Sequence, residues 1–156
     1  MTGKAVHVVY TPPTLPSLFF KDKPICVAHC NHAGIVFNPQ YFTLVNELIE
    51  DWFADALGVC LDELNHVRRL AVPTAHIDCD FFRPSRLGEM LRMTLRVLAV
   101  GRSSISIEIA AGVEDEDRLL ANLTLVMTSS DTDRPAPIPA DIRLRLKGWA
   151  APCLKE

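Results

Sequence analysis

The sequence predicts an α+β domain: one antiparallel sheet of five to six strands laid on a single long helix. Three observations predict it. One segment, between Asn38 and Gly58, carries a sustained helical stripe of apolar residues. Later segments, between Leu91 and Met127, alternate apolar with polar residues and are joined by tight turns. A sheet with one apolar face also needs a cover, and a helix of about 18 residues, roughly 27 Å long, can lie along it.

The elements follow in chain order. Residues 1–20 contain Pro12, Pro13 and Pro16 and no helical period, which reads as an extended N-terminal arm ahead of a domain over 21–150. Pro24-Ile25-Cys26-Val27-Ala28 reads as the first strand, running into the polar loop His29-Cys30-Asn31-His32-Ala33-Gly34. Beyond it Tyr41, Leu44, Val45, Leu48, Ile49, Trp52, Phe53 and Ala56 recur at spacings of three and four, one face of an amphipathic helix. Asn38-Pro39 supplies an N-cap and a first helical position that loses nothing by lacking an N–H, and Gly58 supplies the stop. Leu61 to Arg69 reads as a polar connection, with a short helical turn as the alternative.

The period then falls to two. His76, Asp78 and Asp80 alternate with Ile77, Cys79 and Phe81; Leu91, Met93, Leu95 and Val97 alternate with Arg92, Thr94 and Arg96. Gly101-Arg102 turns the chain into Ile105, Ile107 and Ile109, and the acidic turn Glu114–Asp117 leads to Leu119, Ala121, Leu123 and Leu125. Such half-buried strands with tight connections form an antiparallel meander. A proline-rich stretch ends in a short amphipathic tail, Ala140 to Trp149.

Composition narrows the class of function. A chain of 156 residues with 49% hydrophobic and 22% charged content is one packed domain. Lys plus Arg number 16 against 19 Asp plus Glu, a net charge of -3 that argues against a nucleic-acid partner. The apolar runs are too short to span a membrane and no leader pattern opens the chain, so the protein is expected in the cytoplasm. Five cysteines with no CxxC pair point to free thiols rather than a disulfide framework or a zinc site. His76, Asp78 and Asp80 share one strand face, which reads as an outer face or an interface rather than a metal site.

Chemistry concentrates where the polar loop meets the long helix. Unpaired N–H groups at a helix N-terminus, reinforced by the dipole, polarise a carbonyl and stabilise an oxyanion made from it. Histidine titrates near neutrality, so His29 and His32 are candidate bases. The run Ala28-His29-Cys30-Asn31-His32-Ala33-Gly34-Ile35-Val36-Phe37-Asn38-Pro39-Gln40-Tyr41-Phe42 resembles the signature of the 4-hydroxybenzoyl-CoA thioesterase family. The segments Phe82–Glu89 and Gly101-Arg102-Ser103-Ser104 resemble that family's strand turn and hairpin, in the same order.

The resemblance implies a hotdog fold, in which the sheet wraps the long helix. It implies hydrolysis of an acyl-CoA or aryl-CoA thioester with no cofactor beyond the substrate's coenzyme A. It also implies a homodimer, in some relatives paired into a tetramer, with sites at the subunit interface. The thioester carbonyl would point at the start of the helix, near Gly34, Phe37, Asn38 and Tyr41, and Arg102, Ser103 and Ser104 would meet the CoA phosphates. Asn31 stands where the family carries its catalytic Asp, His29 replaces the companion carboxylate, and Asn46 holds a helix position often acidic in relatives. An amide holds a water or a carbonyl but takes no proton at neutral pH. The base is then expected to be His29 or His32, Glu47 on a helix register shifted by one, or Asp51. Two other classes remain open: an acyl-CoA-binding dimer without turnover, and a hydratase of the same fold.

Overall fold

The computed structural model describes residues 18–150. Strand β1 (Leu18–Pro24) leads through a 3-10 turn at Val27–His29 to helix α1 (Asn38–Asp55) and a shorter helix α2 (Leu61–Arg68). Then come β2 (Leu70–Ala71), β3 (Thr74–Phe81), β4 (Met90–Val100), β5 (Ser104–Val113), β6 (Glu116–Val126), β7 (Thr128–Ser129) and helix α3 (Ala140–Lys147). The five long strands form one antiparallel sheet in the order β1-β4-β5-β6-β3. Two-residue strands β2 and β7 make a separate ribbon.

The predicted periods hold in the structure. Leu91, Met93, Leu95 and Val97 on β4, Ile105, Ile107 and Ile109 on β5, and Leu119, Ala121, Leu123 and Leu125 on β6 are all buried. They meet the buried stripe of α1, Tyr41, Leu44, Val45, Leu48, Ile49, Trp52 and Phe53, in one core. Packing of that face, more than helical propensity, holds α1 in place. Phe37 caps the helix and Asn38 is its first residue, one position earlier than the sequence suggests. No helix among the described residues is long and apolar enough to cross a membrane.

The first strand lies elsewhere than expected. It is Leu18–Pro24, and Val27–His29 is a turn; of the arm expected over 1–20, residues 1–17 lie outside those described. The reason is charge. Lys21 and Lys23 sit at strand positions whose side chains reach α1, where Lys21 pairs with Asp55 at 2.8 Å and Lys23 with Asp51 at 2.7 Å. Burying lysine stems against acidic helix residues makes a strand that shows no apolar alternation in the sequence. The polar connection after Gly58 holds the helical turn that is one of its two readings, extended to two turns as α2 and stopped by Arg69 at φ 55°.

Candidate active site

Four segments meet at the N-terminal end of α1: the loop from Cys26 to Phe37, the first turn of the helix, the end of β3, and the connection Phe82–Glu89. Backbone bonds lock the two loops together. The Val36 N–H donates to the Ser85 carbonyl at 2.9 Å, and the Leu87 N–H to that of Gly34 at 2.9 Å. Gly34 can occupy φ 73° because it has no Cβ. Tyr41, buried in the first turn of α1, donates its hydroxyl to Ser85 Oγ at 2.9 Å and accepts the Ser85 N–H at 3.1 Å. Behind them the guanidinium of Arg118 is buried; it donates to the Pro84 carbonyl at 2.7 Å and forks onto Glu89 at 2.9 Å.

Within this frame Asn31 builds the loop. Its Oδ1 accepts the Ala33 N–H at 2.9 Å and the Ile35 N–H at 3.2 Å, which leaves the side-chain NH2 as a donor. His29 is also committed. Its Nδ1 accepts the Cys26 N–H at 3.0 Å, and its carbonyl accepts the Phe37 N–H at 3.0 Å. An imidazole that accepts at Nδ1 carries its neutral-state proton on Nε2, so in this arrangement it can donate but has no lone pair to take a proton. His29→Asn, whose Oδ1 can accept the Cys26 N–H, is therefore expected to keep activity within a few-fold, as read from kcat. A loss of about 10²-fold, the scale of a lost general base, would show that His29 abandons this geometry during the reaction. His32 is exposed and has no hydrogen-bond partner among the described residues.

The start of α1 supplies one free amide. The Phe37 N–H is spent on His29, Pro39 has none, and the Gln40 N–H donates to the Phe37 carbonyl at 2.8 Å. The Asn38 N–H has no acceptor among the described residues. Asn38 also lines a cleft of about 220 Å³, together with Ile35, Tyr41, Phe81, Phe82 and Arg83. Phe37 is exposed beside it. A polar atom held at that N–H would feel the positive end of the helix dipole.

Other expected site residues lie apart from this cluster. Glu47 is half-buried, and its carboxylate is 3.7 Å from Lys23 Nζ, beside Asp51. Asn46 and Glu50 stand on the other border of the helix and line a second cleft of about 340 Å³ with Leu61, Pro73, Thr74 and Leu125. Arg102, Ser103 and Ser104 form the β4–β5 hairpin, past the end of β4 opposite to the one that joins Glu89. Its backbone is anchored by Ile138, whose N–H donates to Arg102 at 2.9 Å, while the Arg102 side chain stays exposed. Within one chain the hairpin and the loop therefore serve different surfaces.

Sequence reasoning missed Ser85 and Arg118 as parts of the scaffold. Ser85 sat inside a segment already singled out, but Arg118 had no signal, since it is the residue that a bulge in the β5–β6 ladder leaves unpaired, buried beside Leu119 against Pro84 and Glu89.

Comparison with known proteins places this arrangement. A family model described as the thioesterase-like superfamily matches residues 27–146. A 1,4-dihydroxy-2-naphthoyl-CoA hydrolase from Synechocystis is 23% identical over 123 residues, covering 78% of this chain and 88% of that protein. The crystal structure of a 1,4-dihydroxy-2-naphthoyl-CoA thioesterase from Synechocystis superposes with a TM-score of 0.76 at 20% identity, over 84% of this chain and 96% of that one. A Staphylococcus aureus protein solved in complex with CoA superposes with a TM-score of 0.78 at 12% identity, over 86% and 85% of the two chains.

Proposed function

We propose, from the premise that this chain belongs to the thioesterase-like superfamily, that it hydrolyses the thioester of an acyl- or aryl-CoA. Its fold is the hotdog that the loop and helix motifs implied, a sheet wrapped on one long helix. The observation that carries the reaction is the free Asn38 N–H at the head of α1, on the wall of a cleft that Ile35 and Val36 line beside it and residues 81–84 line opposite.

The thioester carbonyl oxygen accepts the Asn38 N–H, and the NH2 of Asn31 donates to the carbonyl or to the attacking water. His32, which its neighbours leave free, takes a proton as water adds to the carbonyl carbon. The carbon–sulfur bond then breaks, the electron pair leaves on sulfur, and the proton returns to give free CoA thiol and the acid. No cofactor enters beyond the coenzyme A of the substrate. The four cysteines among the described residues are free thiols, which supports a reducing compartment and so the cytoplasm.

A homodimer completes this reading. β3 is an edge of the sheet, and Ile77, Phe81 and Phe82 along it are large exposed apolar side chains. Incubating the full chain with a panel of acyl- and aroyl-CoA esters and following free thiol tests the reaction. Thiol release with matching acid is the expected result. Esters that bind without thiol release would replace hydrolysis by binding, and hydration of an enoyl-CoA would replace it by lyase chemistry.

A further inference from the structure

Two hollows flank the connection after β3, and Arg83 lines both. One is the cleft at Asn38, of about 220 Å³. The other, of about 940 Å³, is walled by Glu89, Met90 and the acidic turn 114–117. The cleft is smaller than the roughly 300–1,000 Å³ of pockets that enclose drug-sized ligands, so it takes a compact acyl group. It does not reach the phosphates of coenzyme A, which lie at the far end of the pantetheine arm.

Most of the cleft wall is apolar: Ile35, Val36, Phe81, Phe82 and Pro84. The Tyr41 hydroxyl is spent on Ser85. Asn38 and Arg83 remain as the polar groups that can turn to a ligand, and Arg83 is the charged one. Its present pairing is of a kind that a ligand displaces. Nη1 of Arg83 donates to Glu116 at 3.0 Å, with 64% and 41% of the two side chains exposed. An ion pair so open to water contributes little and exchanges readily. Glu116 does not depend on it, because the buried guanidinium of Arg118 lies 2.9 Å from its other carboxylate oxygen. Arg83 can therefore leave without stranding its partner. A carboxylate brought between apolar walls is costly without a partner, and a guanidinium forks onto it.

We infer that Arg83 selects the acyl group: the substrate is a CoA ester whose acyl chain or ring ends in a carboxylate, which takes the Arg83 guanidinium over from Glu116 while the thioester carbonyl lies at the Asn38 N–H. The inference rests on the hydrolysis proposed above and names the class of ester that it uses. It also gives the exposed pair a role, which is to hold Arg83 beside the cleft until an anion arrives.

Matched CoA esters that differ by a terminal carboxylate test this: glutaryl-CoA against pentanoyl-CoA, and 4-carboxybenzoyl-CoA against 4-methylbenzoyl-CoA. In the wild type kcat/KM is expected to favour the carboxylated member of at least one pair by about tenfold, the scale of a hydrogen bond to a charged group. Arg83→Gln should remove that preference. Arg83→Lys, which keeps the charge but not the fork, should retain part of it. Glu116→Gln should raise the preference about threefold, because the competing carboxylate is gone. A role of Arg83 in folding alone would shift neither ratio. A wild type that favours neither carboxylated ester, or a preference that survives Arg83→Gln, overturns the inference. So does an equal loss on both members of a pair in Arg83→Gln, which would assign Arg83 to the phosphates of coenzyme A. The same pairs made as non-hydrolysable thioethers, measured by calorimetric titration, separate this inference from the reaction. Arg83-dependent preference in binding, with no thiol release from any ester, would overturn the hydrolysis and leave the acyl class standing.

Discussion

Asn31→Asp is expected to raise kcat for thioester hydrolysis by about 10²-fold, the lower end of what a positioned general base contributes. The geometry makes the change conservative for the loop. One carboxylate oxygen can accept the Ala33 and Ile35 N–H groups that Oδ1 now accepts. The other takes the place of the NH2, which has no acceptor among the described residues. Two backbone donors favour the ionised form, so the new group stands charged at neutral pH and can accept a proton from water or attack the carbonyl. Steady-state thiol release together with an unchanged melting temperature checks this. A fall in kcat with the fold retained would mean that the NH2 of Asn31 holds the carbonyl or the water, and that this donor outweighs an added base.

Glu89→Ala is expected to be the most damaging single change to the frame of the site. The Arg118 guanidinium, with 7% of its side chain exposed, would lose both bonds to Glu89 and keep Glu116 at 2.9 Å and the Pro84 carbonyl. Leaving a buried charge short of its partner costs about 3 kcal/mol, a drop of about 10 °C in melting temperature for a chain of this size. The same pair sets a pH dependence. Arg118 beside Glu89 holds that carboxyl below its ordinary value of 4.5. A group whose pKa is depressed by folding contributes stability that is complete above its ordinary value and lost as the pH falls through the depressed one. Denaturant melts of the wild type should therefore lose stability below about pH 4.5 more steeply than those of Glu89→Ala. Parallel curves would show that the pair contributes nothing to folding.

The sheet meander and α1 were legible because their burial is one-sided: period two in Leu91–Val97 and period 3.6 in Tyr41–Phe53 are what a single covered face writes into a sequence. β1 was not legible, because its inward side chains are lysines whose partners, Asp51 and Asp55, lie some thirty residues away. Of the site, the loop motif exposed Asn31, the histidines and the helix start. What it hid was geometry: that Nδ1 of His29 is already occupied, that Glu47 is tied to Lys23, and that the Asn31 carbonyl serves the loop rather than the substrate. Those facts depend on hydrogen-bond partners that residue spacing does not specify. Arg118 was hidden for a similar reason, since a loop from another part of the chain buries it.

The central claim is that a loop histidine, not a carboxylate of α1, takes the proton from water. It is tested most directly by thiol release from the best CoA ester with His32→Ala beside the wild type. A fall of about 10²-fold in kcat with KM retained is the predicted result, because the base is removed while the cleft and the Asn38 N–H remain. A kcat unchanged by His32→Ala would contradict the account and return the proton to a carboxylate.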